Sequence, residues 1–200
     1  MDDDLRRMWQ EINEDHFAGD LKPLTSIDWA AISGEEGIGA LGRFYPKSRC
    51  IAIDETFRFN REAIRAEDKI EEIKLEVAYR LLMHEMIHQA LHEKKAPNPG
   101  GHGASFLEEA RRIAQQLGEK TPAEEDARHW PLNAPTVPVS AETYRAITGD
   151  LPDQSKRDDR GSYALTLDHK TFDRLKTARG PGESDATSSS PVAKGDGGEE

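Results

Sequence analysis

The sequence predicts an α+β domain in which a small antiparallel sheet packs on one long helix, followed by an extension with little structure. Apolar residues recur every three or four positions over residues 67–93, which indicates the long helix. Short apolar segments bounded by Gly and Pro precede this helix and indicate strands. Seven of the eleven prolines lie beyond Gly118, where apolar residues become sparse, so we expect the packed domain to end there.

The composition of the chain limits the class of protein to which it can belong. Hydrophobic residues make up 36% and charged residues 32% of 200 positions, which allows one ordinary domain with a core. Cys50 is the single cysteine, so a disulfide framework and a four-cysteine zinc module are excluded and a reducing compartment is expected. No stretch reaches the roughly 18 apolar residues of a membrane span and no signal peptide is evident, so a cytoplasmic protein is expected.

Residues 4–16 predict the first helix, which a glycine and a proline soon end. Its apolar stripe consists of Leu5, Met8, Trp9, Ile12 and Phe17. Ile27, Trp29 and Ala31 then recur at every second position, as in a strand. Residues 41–45 and 50–53 flank a turn with a proline and predict a β-hairpin.

A glycine-rich segment precedes the hairpin. Residues 37–42, GIGALG, match the G-x-G-x-x-G dinucleotide fingerprint letter for letter. That fingerprint requires a helix directly after it, and Pro46 comes too early for one. A flexible turn leading into a strand is therefore the preferred interpretation.

The long helix is followed by a reversal and by a second helix. Residues 94–101 contain two prolines and two glycines, which break the helix, and residues 104–117 resume helical periodicity before Gly118. Beyond this point we expect a short helix at 141–147 and a strand and helix within 163–176. The domain is thus predicted over 4–118, a sparse extension over 119–179, and a disordered tail over 180–200.

The string HEMIH, residues 84–88, is the most informative motif of the chain. Positions i and i+4 share one face of a helix, so His84 and His88 can bind one metal ion with Glu85 beside it. The competing interpretation is a helix whose core histidines are satisfied by other contacts. Two features favour the metal: the histidines continue the apolar stripe, and a third histidine follows the reversal.

A catalytic zinc usually takes three protein ligands and leaves one position for water. His102 is the favoured third ligand, because it follows a reversal that can return it to the preceding helix. Glu108 is the rival, since a glutamate from a later helix can also complete such a site. His92 is roughly 12 Å from His84 along the helix axis, which is too far for one ion. The remote histidines His16, His129 and His169 are expected to be structural or surface residues.

This residue pattern predicts hydrolytic chemistry. Zinc held by neutral imidazoles lowers the pKa of a bound water towards about 7 and polarises a scissile carbonyl. Glu85 would then act as the general base and afterwards protonate the leaving amine.

The order of several residue groups resembles the SprT-like domain of the Spartan group of zinc metallopeptidases, over about residues 4–118. The groups are Trp9, Asn13 and Phe17, then Leu21, Ile27 and Trp29, a glycine turn with a hairpin, LLMHEMIHQALH, and HGASF at 102–106. The resemblance implies a zincin-like metallopeptidase fold with the sheet packed on the HExxH helix. It also implies zinc ligands His84, His88 and His102 with Glu85 catalytic, and thus argues against Glu108.

The resemblance further implies hydrolysis of peptide bonds in proteins, including proteins bound or crosslinked to DNA. In that family the hairpin forms a small sheet whose edge could receive a substrate as an added strand. The alternative is a DNA-associated regulatory or interaction protein on the same scaffold, with a structural or vestigial metal site.

Single-stranded DNA is a further candidate partner. The net charge of −11 argues against broad attraction to nucleic acids, yet cations and aromatics alternate around the hairpin in a pattern that suits phosphates and bases. They are Arg43, Phe44, Tyr45, Lys47, Arg49, Phe57, Arg58, Phe59, Arg61 and Arg65. The competing interpretation is a solvated hairpin whose aromatics enter the core.

Overall fold

The computed structural model describes residues 1–32, 41–125, 127, 130–131, 136–158, 161–166, 171 and 174. Within these ranges the fold is α+β, as predicted. Its helices are α1 (Asp3–Phe17), α2 (Arg61–Arg65), α3 (Lys69–Glu93), α4 (Ala104–Leu117) and α5 (Ala141–Thr148). Its strands are β1 (Ser26–Ala30), β2 (Gly42–Tyr45), β3 (Cys50–Asp54), β4 (Thr136–Val139) and β5 (Tyr163–Thr166).

Helix α1 begins at a side-chain cap and ends at a left-handed residue. The Asp2 carboxylate accepts the first free backbone N–H groups of the helix, and Ala18 terminates it with φ 55°. Its apolar stripe is buried, which confirms the first predicted helix. Trp9 on this stripe donates from Nε1 to Gln89 Oε1 of α3 at 3.0 Å, so the two helices are joined by a buried hydrogen bond as well as by apolar contact.

The first sheet is mixed and not antiparallel throughout, which corrects the prediction. The hairpin of β2 and β3 is antiparallel, as expected, but β1 pairs with β3 in parallel, in the order β1-β3-β2. Ile51 and Ile53 of β3 are buried, so this strand gains most by having a neighbour on each side. Strand β2 pairs with one side of β3 and β1 with the other. The direction of β1 relative to β3 cannot be read from the alternation of residues alone.

Helix α3 is the central element of the domain. The Asp68 side chain caps its first turn, and its C-terminal half is buried on every side from Leu81 to Leu91. Burial is complete there because α1, α4 and the mixed sheet all pack on this one helix. The long predicted helix is confirmed, although its buried surface is wider than a single stripe. No described helix has the length and apolar character to cross a membrane.

Three sequence predictions fall wholly or mainly outside the described residues. The glycine-rich segment is described only from Leu41, and Gly42 begins β2. The tail at 180–200 and most of the helix predicted within 163–176 also lie outside them.

Beyond Gly118 the described chain forms α5 and a two-stranded antiparallel sheet of β4 and β5. The predicted short helix and the strand at Tyr163 are confirmed, whereas β4 was not predicted. Five residues of this region belong to the hydrophobic core shared with α3 and α4. They are Ala127, Trp130, Val139, Ile147 and Leu165.

Candidate metal centre

Three imidazoles converge beside helix α3. His84 and His88 lie one turn apart on this helix, and His102 stands directly before the cap of α4. One ring nitrogen of each lies within 4.8 Å of the others, and His84 Nε2 is 2.9 Å from His102 Nε2. Nitrogen ligands of a tetrahedral zinc ion, at about 2.0–2.1 Å from the metal, lie roughly 3.3 Å from one another. The histidine spacing therefore suits a shared cation.

The loop between α3 and α4 places His102. Lys95 and Asn98 both adopt left-handed backbone conformations, with φ of 54° and 48°, and these reverse the chain within a few residues. Gly101 then passes so close to the Asn98 side chain that a Cβ at this position would collide with it. The predicted Pro/Gly reversal thus returns the chain to α3 at His102.

Backbone carbonyls fix the tautomers of the two helical histidines. His84 Nδ1 lies 2.6 Å from the carbonyl oxygen of Trp130, and His88 Nδ1 lies 3.0 Å from that of Pro99. A carbonyl oxygen only accepts hydrogen bonds, so each Nδ1 carries a proton and donates it. Nε2 of each neutral ring then keeps its lone pair, which is the arrangement found in most histidine metal ligands.

Phe106 forms the floor of the site. Its ring centroid lies 4.8 Å from that of His84, 4.9 Å from His88 and 4.7 Å from His102, and the side chain is 1% exposed. An apolar floor restricts rotation of the three rings and keeps water away from their inner side. Burial also lowers the pKa of His88, against a smaller raising effect of its bond to Pro99, so the neutral form that binds metals is favoured.

Glu85 lies next to this cluster on α3 and is tied to the edge of the mixed sheet. The backbone N–H of Phe44 in β2 donates to Glu85 Oε2 at 2.7 Å. Gly42 permits the close approach, since a Cβ there would lie 3.1 Å from both Cγ and Oε1 of Glu85. One carboxylate oxygen is thus held by the strand, and the absence of a side chain at Gly42 leaves room for the other.

The environment of Glu85 is strongly perturbed. Burial raises the pKa of its carboxyl to about 8, although the Phe44 hydrogen bond and the charge of Arg43 act in the opposite direction. A divalent cation nearby would also favour the charged form. A buried acid with a shifted pKa next to candidate metal ligands is typical of an active site.

The other candidate residues lie elsewhere. Glu108 is exposed on α4 and is not part of the histidine group. His92 also lies outside the group and packs its ring against Phe44 at a centroid distance of 5.6 Å. His16 is buried, with Nδ1 3.2 Å from Gln116 Oε1. His129 and His169 are outside the described residues.

Several contributors to the site were not predicted from the sequence. Trp130 and Pro99 act through backbone carbonyls, and Phe44 acts through a backbone N–H. Every residue carries such groups, so no residue type signals this role. Phe106 belongs to the HGASF string, but its position beneath the histidines followed only from the way α4 packs on α3.

The cations and aromatics around the hairpin are only partly available to a partner. Phe57 and Phe59 are buried in the core. Three of the arginines pair with acids: Arg49 with Glu93, Arg58 with Asp2 and Arg61 with Asp4. Tyr45, by contrast, is 42% exposed at the end of β2. Binding of single-stranded DNA here stays a prediction.

The chain matches a known protein family over more than half of its length. A model of the SprT-like family matches residues 5–129, which contain most of α1, the mixed sheet, α2 to α4 and all three clustered histidines. No curated protein and no solved structure matches the chain.

Proposed function

The chain belongs to the SprT-like family, and from this premise we propose that it is a zinc-dependent peptidase that hydrolyses peptide bonds in protein substrates. The observation that carries the proposal is the convergence of His84, His88 and His102 with Glu85 beside them. Three imidazoles form a ligand set that suits catalytic zinc, which usually takes three protein ligands and leaves a fourth position for water.

When bound, zinc would supply an activated water molecule and polarise the carbonyl of the scissile bond. The chain's own residues then have distinct tasks. His84, His88 and His102 would hold the ion, and the carbonyls of Trp130 and Pro99 keep the first two rings in place. Phe106 closes the inner side of the site to solvent.

Glu85 is the proposed general base. The Phe44 N–H holds Oε2, which leaves Oε1 to accept a proton from the attacking water and to return it to the leaving amine. Because β2 fixes the carboxylate before substrate arrives, little reorganisation is needed during proton transfer.

The proposed substrate position follows from the sheet. Among the described strands of the first sheet, β2 lies at an edge beside β3, and its backbone contacts the candidate base directly. An extended peptide that added to this edge as a further strand would place its backbone beside Glu85. Unfolded or locally extended protein segments are therefore the proposed substrates, and DNA-bound or DNA-crosslinked proteins remain the narrower class that the family resemblance implies.

The test uses purified full-length chain and an unfolded protein substrate. We expect cleavage that a chelator abolishes and added Zn²⁺ restores. Glu85→Gln should retain zinc and lose activity by at least about 100-fold, because general base catalysis contributes roughly 10²–10⁴-fold. The matched control, Glu108→Gln, changes an exposed glutamate of α4 and should leave both zinc content and cleavage unchanged. A Glu85→Gln enzyme as active as the unmodified chain would refute the catalytic assignment.

Two further arms separate the ligand and substrate questions. Zinc should be lost in His102→Ala and retained in Glu108→Ala; the reverse result would assign the third ligand to Glu108. Cleavage measured with and without single-stranded DNA, at several salt concentrations, tests the DNA link, which fails if both binding and cleavage ignore the added DNA.

A further inference from the structure

Arg80 is a buried cation with an unusual set of partners. It lies four residues before His84 on α3, and its side chain is 10% exposed. Its guanidinium donates to Glu76 Oε1 at 2.6 Å, to Glu119 Oε1 at 2.8 Å and to the carbonyl oxygen of Pro131 at 3.1 Å. Burying a guanidinium is unfavourable unless such bonds compensate for the lost hydration.

The Pro131 contact links Arg80 to the histidine cluster. Trp130 and Pro131 are consecutive, and the Trp130 carbonyl accepts the bond from His84 Nδ1. The carbonyls of Trp130 and Pro131 therefore accept hydrogen bonds from His84 and Arg80, which lie one helical turn apart on the same face of α3. Arg80 holds the Pro131 carbonyl, and the preceding peptide unit presents the Trp130 carbonyl to His84.

The orientation of a metal-binding imidazole depends on the partner of its second nitrogen. Trp130 is not on α3 or α4 but in the chain that follows Gly118, so its carbonyl needs an anchor of its own. The Arg80 guanidinium supplies a planar fork that reaches Glu119 and Pro131 together, on either side of residues 120–130. Lysine has a single nitrogen and cannot hold both with the same geometry.

We propose that Arg80 is a positioning residue of the metal centre, which it serves by holding the segment from Glu119 to Pro131 so that the Trp130 carbonyl orients His84. This inference rests on the proposed function, because it assumes that His84 is a metal ligand. Arg80 would thus support the metal centre without being a metal ligand. The segment that it holds lies beyond Gly118, the predicted end of the domain.

The test measures zinc affinity of the full chain by competition with a chromophoric chelator, for Arg80→Met and Arg80→Lys. Loss of a group that orients a metal ligand typically weakens metal binding by about 10–100-fold. We expect that loss in Arg80→Met and a smaller loss in Arg80→Lys. The Nδ1–H resonance of His84, recorded by NMR on zinc-loaded protein, should shift or broaden in both variants.

Arg112→Met is the matched control. Arg112 also donates to a backbone carbonyl, that of His16 at 2.7 Å, and pairs with Glu109 on its own helix. The Arg112→Met substitution should lower the stability of the protein without changing its zinc affinity or the His84 resonance. Circular dichroism establishes folding of each variant, and if Arg80→Met does not fold, Arg80→Lys decides.

The outcomes are separable. An unmodified chain that binds no zinc overturns the proposed function itself. An unmodified chain that binds zinc, together with a folded Arg80 variant of equal zinc affinity and unchanged His84 resonance, overturns the positioning role alone. Equal loss of affinity in Arg80→Met and Arg112→Met also overturns it, since destabilisation would then explain both.

Discussion

The residues of the candidate site divide into those whose side chains are suited to bind metal or transfer protons and those that hold these side chains in place. Histidine and glutamate at these spacings are recognisable in the sequence, because few side chains bind metals or transfer protons. The residues that hold them act through backbone atoms or through the absence of a side chain, as at Gly42. The first group could thus be predicted from the sequence, whereas the second could not.

Gly42→Ala tests the holding of Glu85. The added methyl group would lie 3.1 Å from Glu85 Oε1 and 3.3 Å from Ile53 Cδ1, so the carboxylate must shift by a few tenths of an ångström. We expect kcat to fall by roughly 3- to 10-fold, since a misplacement of about 1 Å can cost about 100-fold, while KM and zinc content stay unchanged. Steady-state kinetics and metal analysis check this.

The control for this substitution is Gly100→Ala, because a Cβ at Gly100 has no neighbour within 4 Å. It should leave kcat unchanged. Equal kinetics for Gly42→Ala and Gly100→Ala would show that the position of Glu85 does not depend on the strand.

At the scale of elements, α3, the loop after it and α4 form the unit that assembles the three imidazoles. Apolar periodicity and the glycines and prolines that end helices predicted both helices, because these signals act between residues close in sequence. The Pro/Gly reversal predicted that His102 would return towards α3. The sheet was predicted to be antiparallel, and the parallel pairing of β1 was missed because side-chain alternation is identical in parallel and antiparallel pairs.

The packing of α4 on α3 is tested by Phe106→Ala. Removal of this buried ring should lower the free energy of unfolding by about 3–5 kcal/mol, through lost burial and the cavity left behind. Zinc affinity should fall as well, because the ring contacts all three histidines. Denaturant unfolding and chelator competition measure the two effects.

Leu107→Ala provides the comparison for this variant. Leu107 is buried beside Phe106 on α4, so its truncation should cost about 2–5 kcal/mol and leave zinc affinity unchanged. If both variants bind zinc as tightly as the unmodified chain, Phe106 is part of the core only and does not support the site.

At the scale of the whole molecule, the question is where the functional unit ends. The sequence predicted a boundary at Gly118, and that boundary stays a prediction. The contacts of Trp130 with the site, and of Val139 and Ile147 with the common core, favour a unit that extends beyond it. The low apolar content after Gly118 did not indicate this extension. A few large buried side chains are enough to pack a segment against the core.

Truncation after Gly118 tests the boundary. The shortened chain loses Trp130, which is 3% exposed, together with the partner of His84. We expect a loss of about 3–5 kcal/mol in stability, a fall of roughly 10 °C in Tm, and weaker zinc binding. Calorimetry and chelator competition provide the measurements.

Truncation after residue 179 is the paired experiment, because it removes only the tail predicted from composition. It should preserve Tm and zinc affinity. A chain ending at Gly118 with the Tm and zinc affinity of the full chain would establish the original boundary.

The sequence by itself determined the order of the main helices, the hairpin, and the side chains able to bind metal and transfer protons, because helical period and side-chain type are local properties. Only the tertiary structure decided that β1 runs parallel to β3, that Phe106 lies under the imidazoles, and that the Trp130 carbonyl meets His84. These are contacts between distant parts of the chain. Such contacts depend on how all the elements bury their apolar surfaces against one another at the same time. Contacts made by backbone groups cannot be recognised in a sequence, because nearly every residue carries the same groups.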